Sequence, residues 1–69
     1  MKYQVIGGST KNEEFEKYVE VLTELGIPTE RDKNGRVGVV DTRDQAQQIL
    51  ERIKARIHYM PWSVIEIVD

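Results

Sequence analysis

The chain has 69 residues, enough for one domain (residues 1–69) with a single small hydrophobic core. A net charge of −2 argues against binding to nucleic acid or to an anionic membrane, since both need a cationic surface. The absence of cysteine excludes disulfides and thiolate metal sites.

The first elements in chain order are a strand and a helix. Residues 2–6 are predicted to form the strand, and the apolar residues of 11–25 recur at three- and four-residue steps, which is typical of one face of a helix. Thr10 and Glu13 have the spacing of a capping box at the helix start. Gly26 is expected to end the helix.

The middle of the chain predicts a hairpin. Residues 28–32 are polar and begin with proline, which favours a strand at a sheet edge. Asn34 and Gly35 both tolerate positive φ and indicate a tight turn. The β-branched residues of 36–40 then predict a third strand.

The last part of the chain repeats the order of helix and strand. Thr42 and Gln45 form a second capping box, followed by a predicted helix over 43–58. Residues 62–68 predict the final strand, after the break at Pro61. The apolar face of this helix consists of Ala46, Ile49, Leu50, Ile53 and Ile57.

This βαββαβ order predicts an α+β fold of ferredoxin-like type. Each strand–helix–strand unit crosses over right-handed, and the hairpin joins the two units. The expected architecture is a four-stranded antiparallel sheet with both helices on one face.

The sheet face without helices is the predicted binding surface. Side chains alternate along each strand. One set of alternating side chains is expected to face the helices, and the other set, on the opposite face, includes the predicted site residues. The helix-facing set is Tyr3, Val5, Val37, Val39, Ser63, Ile65 and Ile67. The predicted site residues are Gln4, Ile6, Arg36, Val40, Trp62 and Val64. An open face of this kind, with a tryptophan as anchor, is typical of ligand or partner sites. A second interpretation is that Trp62 packs on the end of the second helix.

Catalytic, metal and cofactor sites are not expected. The carboxylates of Glu13, Glu14 and Glu16 are interpreted as a solvated helix start, where they complement the helix dipole. The single histidine, His58, is expected to close the second helix. The sequence therefore predicts a non-enzymatic binding protein without a cofactor.

Several segments together resemble one known family. They are the strand Tyr3-Gln4-Val5, the helix end at Leu25-Gly26, the stretch Gly35-Arg36-Val37-Gly38-Val39, and Ala46 in the second helix. These features resemble the SPOR domain, which has about this length and the same element order. The resemblance implies binding of peptidoglycan glycan strands along the open sheet face. Gln4, Arg36 and Trp62 would then contact the sugar.

The order of elements also resembles the RNA-recognition motif. The third-strand stretch 36–40 follows that family only loosely and lacks the aromatic residues that stack on bases. Together with the acidic charge balance, this gives no expectation of RNA binding.

A different class of function stays open beside glycan binding. The chain could be a stand-alone phage or regulatory protein that binds or inhibits a protein partner, either by strand addition or as a homodimer. A complete chain of this sequence would be cytoplasmic, whereas a fragment of a SPOR-containing protein would act outside the cytoplasm, at the cell wall.

Overall fold

The structure is a computed structural model that describes residues 1–7 and 12–68. Its elements are β1 (Lys2–Ile6), α1 (Asn12–Glu24), α2 (Arg43–Arg56) and β2 (Ser63–Ile67). Among the described residues, β1 and β2 form one two-stranded antiparallel sheet. The predicted α+β composition is present, but the predicted ferredoxin-like four-stranded sheet is wrong.

The segment predicted as the second strand is an irregular, largely exposed stretch. Pro28 has no N–H to donate to a sheet ladder. The carboxylate of Asp32 accepts from the N–H groups of Asn34 and Arg36, at 2.8 and 2.9 Å. The bond from Arg36 occupies a donor that a hairpin ladder would use, so the Asp32 side chain competes with strand pairing.

The chain nevertheless turns where the sequence predicts. The N–H of Gly35 donates to the carbonyl of Asp32, and the N–H of Asp32 donates to the carbonyl of Arg36, both at 2.9 Å. Gly35 has φ +77°, while Asn34 keeps a negative φ. The turn therefore differs from the two-residue type that needs positive φ at both central positions.

The segment predicted as the third strand is reduced to a single bridge. Val40 and Tyr3 exchange two backbone hydrogen bonds of 2.9 Å along the outer side of β1. Two residues earlier, Gly38 has φ +77°, outside the extended region. This backbone conformation ends the pairing before a full strand can form.

The start of α2 and the end of α1 follow the sequence signals, whereas α2 ends at Arg56 and His58, predicted to close it, lies beyond it in a turn. Thr42 caps α2, and its side chain and that of Gln45 make the two reciprocal bonds of a capping box. At the end of α1, Gly26 has φ +71° and donates to the carbonyl of Thr23. The N–H of Ile27 donates to the carbonyl of Leu22, which completes a Schellman motif. The box predicted at Thr10 and Glu13 lies outside the described residues and side chains.

The core lies between the two helices and one face of the sheet. The predicted face of α2 is buried except for Leu50, which is half-buried. The buried apolar residues are Val5, Tyr18, Val21, Leu22, Val37, Val40, Ala46, Ile49, Ile53 and Ile57.

The last strand has the opposite side-chain phase from the prediction. Val5 lies opposite Val64 and Tyr3 opposite Glu66, and such partners share one sheet face. Arg43 at the start of α2 bonds Glu66 at 2.7 Å, so this face is the one beneath α2. Val64 therefore packs against the core, and Ile65 and Ile67 belong to the other face. Val40, also predicted to face outwards, is buried.

Candidate functional site

A cleft of about 360 Å³ opens beside the end of β1 and the first turns of α1. Three aromatic side chains contribute to its apolar wall, and the polar groups come from β1 and α1. Its main lining residues are Gln4, Ile6, Glu14, Phe15, Tyr18 and Trp62.

Trp62 is fixed in this wall by contacts on several sides. Its indole N–H donates to the carbonyl of Ile57, just beyond α2, at 3.0 Å. The ring is nearly parallel to that of Tyr18, with centroids 6.2 Å apart. A Cβ on Gly7 would lie 2.8 Å from the indole, so this position requires glycine. Trp62 is therefore half-buried and held in one orientation.

Tyr18 connects the cleft to the segment that follows the turn. Its hydroxyl is buried and donates to the carbonyl of Val37 at 3.3 Å. Burial raises the pKa of Tyr18 from 10.0 to about 12. Tyr18 therefore contributes its ring to the cleft, while its hydroxyl is held by the Val37 carbonyl.

Glu14 is the charged residue of the cleft wall and is only 7% exposed. Its Oε1 accepts from the hydroxyl of Tyr59 at 3.0 Å. Its Oε2 is buried without a hydrogen-bond partner among the described residues. An unsatisfied buried acceptor costs about 1–3 kcal/mol, and more when it is charged. Glu14 lies in the first turn of α1, where the helix dipole stabilises a negative charge.

Gln4 and Arg36 form a polar pair at the edge of the cleft. The Gln4 amide donates to the carbonyl of Val37, and Arg36 donates to the Gln4 side-chain oxygen, both at 3.1 Å. Since the Val37 carbonyl also accepts from Tyr18, one backbone group positions two cleft residues.

The structure brings together part of the predicted site, but in the cleft and not on an open sheet face, because Trp62 packs on Tyr18 and bonds Ile57 at the end of α2. Gln4, Ile6 and Trp62 line the cleft, and Arg36 reaches it through its bond to Gln4. The side chain of Ile6 is 40% exposed. The remaining predicted residues, Val40 and Val64, belong to the core or pack against it.

Sequence reasoning missed the contribution of α1. Glu14 was interpreted as part of a solvated helix start, whereas it is buried in the cleft wall. A signal was present, because Glu14 lies four residues before Tyr18 and therefore on the same, buried stripe of the helix. A carboxylate in phase with apolar residues indicates a special environment.

Across residues 1–7 and 12–68, the structure contains no group of three or more His, Cys, Asp or Glu side chains that could hold a metal ion. Neither described helix is long and apolar enough to cross a membrane.

Comparison of the chain with family models, with curated proteins and with solved structures finds no match.

Proposed function

We propose that this protein is a non-catalytic binding module whose ligand enters the cleft beside α1. The observation that carries the proposal is the combination of an aromatic wall with a buried, half-satisfied carboxyl group at Glu14. Small-ligand sites are typically concave, mostly apolar and equipped with a few fixed polar groups. The volume of the cleft lies near the lower end of their range of about 300–1,000 Å³.

A segment of a protein partner is the ligand class that this geometry supports best. The cleft is large enough for one or two side chains, and an apolar pocket with a polar group is a usual anchor point in partner recognition. The exposed side chain of Ile6 extends the apolar surface beyond the cleft. A partner segment could therefore insert a side chain and lie across Ile6.

Binding of a peptidoglycan glycan, as in SPOR domains, is the second candidate. The pairing of Gln4 and Arg36 beside Trp62 favours it, because amide and guanidinium groups bond sugar hydroxyls. It has less support than the first candidate. The sheet has two strands among the described residues, and the Trp62 ring already packs on Tyr18.

The proposal is tested by selecting peptides from a displayed random library on the immobilised protein and titrating the best binder into ¹⁵N-labelled protein. We expect the largest NMR shift changes at Gly7, Glu14 and the indole N–H of Trp62. Shift changes confined to the turn at Asn34 and Gly35 would contradict the proposal, as would a selection without binders.

The glycan candidate has its own experiment. If it is correct, the protein co-sediments with insoluble peptidoglycan, and Gln4→Ala weakens retention at an unchanged unfolding midpoint. Retention equal to that of an unrelated acidic protein would reject it.

A further inference from the structure

We infer that the cleft selects a primary ammonium group carried on an apolar stem, and that Glu14 recognises the charge. The inference rests on the proposed function, because it names the ligand chemistry of the same cleft. It begins from an asymmetry within one carboxyl group. Oε1 of Glu14 is engaged by Tyr59, while Oε2 is buried and has no partner among the described residues.

A ligand that brings a hydrogen-bond donor to Glu14 would supply the partner that Oε2 lacks among the described residues. Glu14 lines the cleft although its Oε2 is buried, so a donor bound in the cleft approaches the carboxyl group and reaches Oε2 when that group rotates. A positively charged donor is favoured over a neutral one, since it adds Coulombic attraction to the hydrogen bond with the carboxylate. An anionic ligand would be repelled by the same group.

The aromatic wall favours the same charge. Phe15, Tyr18 and Trp62 line the cleft, and an aromatic ring attracts a cation held over its face. The protein already shows this interaction nearby, because the guanidinium carbon of Arg31 lies 5.7 Å from the centroid of the Phe15 ring. The rings also provide apolar contact for the stem that carries the cation.

The geometry of Glu14 distinguishes an ammonium from a guanidinium. A guanidinium gains most when it binds both carboxylate oxygens in a bidentate pair. Tyr59 already uses one lone pair of Oε1, so a bidentate guanidinium would have to share that oxygen with the Tyr59 hydroxyl. An ammonium is a compact point charge that needs no bidentate contact.

This chemistry could be supplied by a free amine or by a lysine side chain of a partner. The probes are therefore phenethylammonium and N-acetyl-lysine methylamide. Each has a neutral counterpart of similar shape, 2-phenylethanol and N-acetyl-norleucine methylamide. Phenethylguanidinium serves as the third cation. Each compound is titrated into the ¹⁵N-labelled protein at constant ionic strength, and the shifts of Gly7, Glu14 and the Trp62 indole N–H are followed.

We expect at least one ammonium probe to bind about tenfold or more tightly than its neutral counterpart, as a charge-assisted bond implies. The guanidinium is expected to bind more weakly than phenethylammonium. Stronger binding of phenethylammonium than of the lysine derivative indicates a free amine, and the reverse order indicates a partner's lysine.

A pair of variants tests the role of Glu14. Glu14→Gln keeps the shape and the acceptor for Tyr59 but removes the charge, and we expect it to abolish the preference for the ammonium. Glu16→Gln makes the same charge change at an exposed position of the same helix and should leave the preference intact. If Glu14→Gln does not fold, the comparison of charged and neutral probes on the unchanged protein still tests whether the cleft prefers an ammonium group.

The outcomes separate this inference from the proposed function. Equal binding of charged and neutral probes in the cleft overturns the ammonium inference and leaves a binding cleft. A preference that persists in folded Glu14→Gln overturns the role of Glu14. If no probe binds while a library-selected peptide shifts the cleft resonances, the ammonium inference alone fails. If that peptide also leaves them unchanged, the proposed function fails as well.

Discussion

At the scale of single residues, Gly38 has the most constrained position in the described chain. Its φ of +77° disfavours any L side chain, and a Cβ there would collide with the hydroxyl group of Tyr18. We expect Gly38→Ala to lower the free energy of unfolding by about 2–4 kcal/mol, because conformational strain and a steric clash add. Denaturant unfolding followed by tryptophan fluorescence measures the loss.

Gly26 provides the matched control for this change. It has a similar φ of +71°, but nothing lies within 4 Å of the position that a Cβ would take. Gly26→Ala should therefore lower the free energy of unfolding only by the cost of placing an L residue at positive φ, about 1–2 kcal/mol. Equal losses for the two variants would show that the contact between Gly38 and Tyr18 carries no energy.

Tyr18 gives the protein a predicted dependence on alkaline pH. Burial raises its pKa from 10.0 to about 12 in the folded state, so the unfolded state loses this proton first. The contribution of Tyr18 to stability is complete below pH 10 and falls as the pH rises from 10 towards 12. The total loss is up to about 3 kcal/mol.

Unfolding curves between pH 9 and pH 12 measure this effect. Tyr18→Phe removes the ionisable group while keeping the ring, and Gln4 still donates to the Val37 carbonyl in that variant. The variant should lose less stability over this interval than the unchanged protein. Identical pH profiles would contradict the assignment to Tyr18.

At the scale of elements, periodicity predicted the regular segments well, and local chemistry decided the rest. The two helices and the first and last predicted strands carry strong apolar patterns that tertiary packing reinforces. These elements occur near their expected bounds. The second and third predicted strands do not form because Asp32 and Gly38 impose their own local geometry. A β-branched composition could not reveal a positive φ at Gly38.

The sequence predicted only part of the candidate site, because side-chain alternation does not determine which face of a strand is buried. Strand alternation drew attention to Gln4 and Ile6, and residue type drew attention to Trp62; all three line the cleft. Alternation alone could not fix the phase of the last strand, because a shift of one residue exchanges its two faces. Glu14 was missed because an acidic residue in a first helical turn is usually solvated.

The cap of α2 gives a prediction at this scale. The Thr42 hydroxyl accepts from the N–H of Gln45 at 3.2 Å, so Thr42→Ala should cost about 1 kcal/mol of stability. Thr23→Ala is the control, since its hydroxyl donates to the Val19 carbonyl inside α1 and caps no helix start. Thermal melting of both variants by circular dichroism checks the difference, and equal midpoints would contradict the capping role.

At the scale of the whole molecule, the parts depend on one another for stability. A two-stranded sheet is marginal in water by itself, and here it packs against the helices through one shared core. Exposed ion pairs such as Arg56 with Glu24 connect the two helices, but surface pairs of this kind add little. The apolar core is therefore the main source of cooperativity.

We accordingly expect unfolding in a single transition. Trp62 contacts Tyr18 of α1 and the chain just after α2, so its fluorescence reports the arrangement of both helices. The fluorescence midpoint in urea should coincide with the midpoint of helical circular dichroism, as in a two-state domain. Two separated midpoints would contradict a single transition, because the helical signal and the contacts of Trp62 would then be lost separately.

The pairing of β1 with β2 has a consequence for how the chain folds during synthesis. β1 is translated before both helices, and its sheet partner β2 is translated after them. While the ribosome adds residues at about 5–20 per second, the nascent strand remains without the neighbour that covers its ladder groups. The sheet can therefore assemble only once β2 has emerged, and until then β1 is a segment that a chaperone can bind.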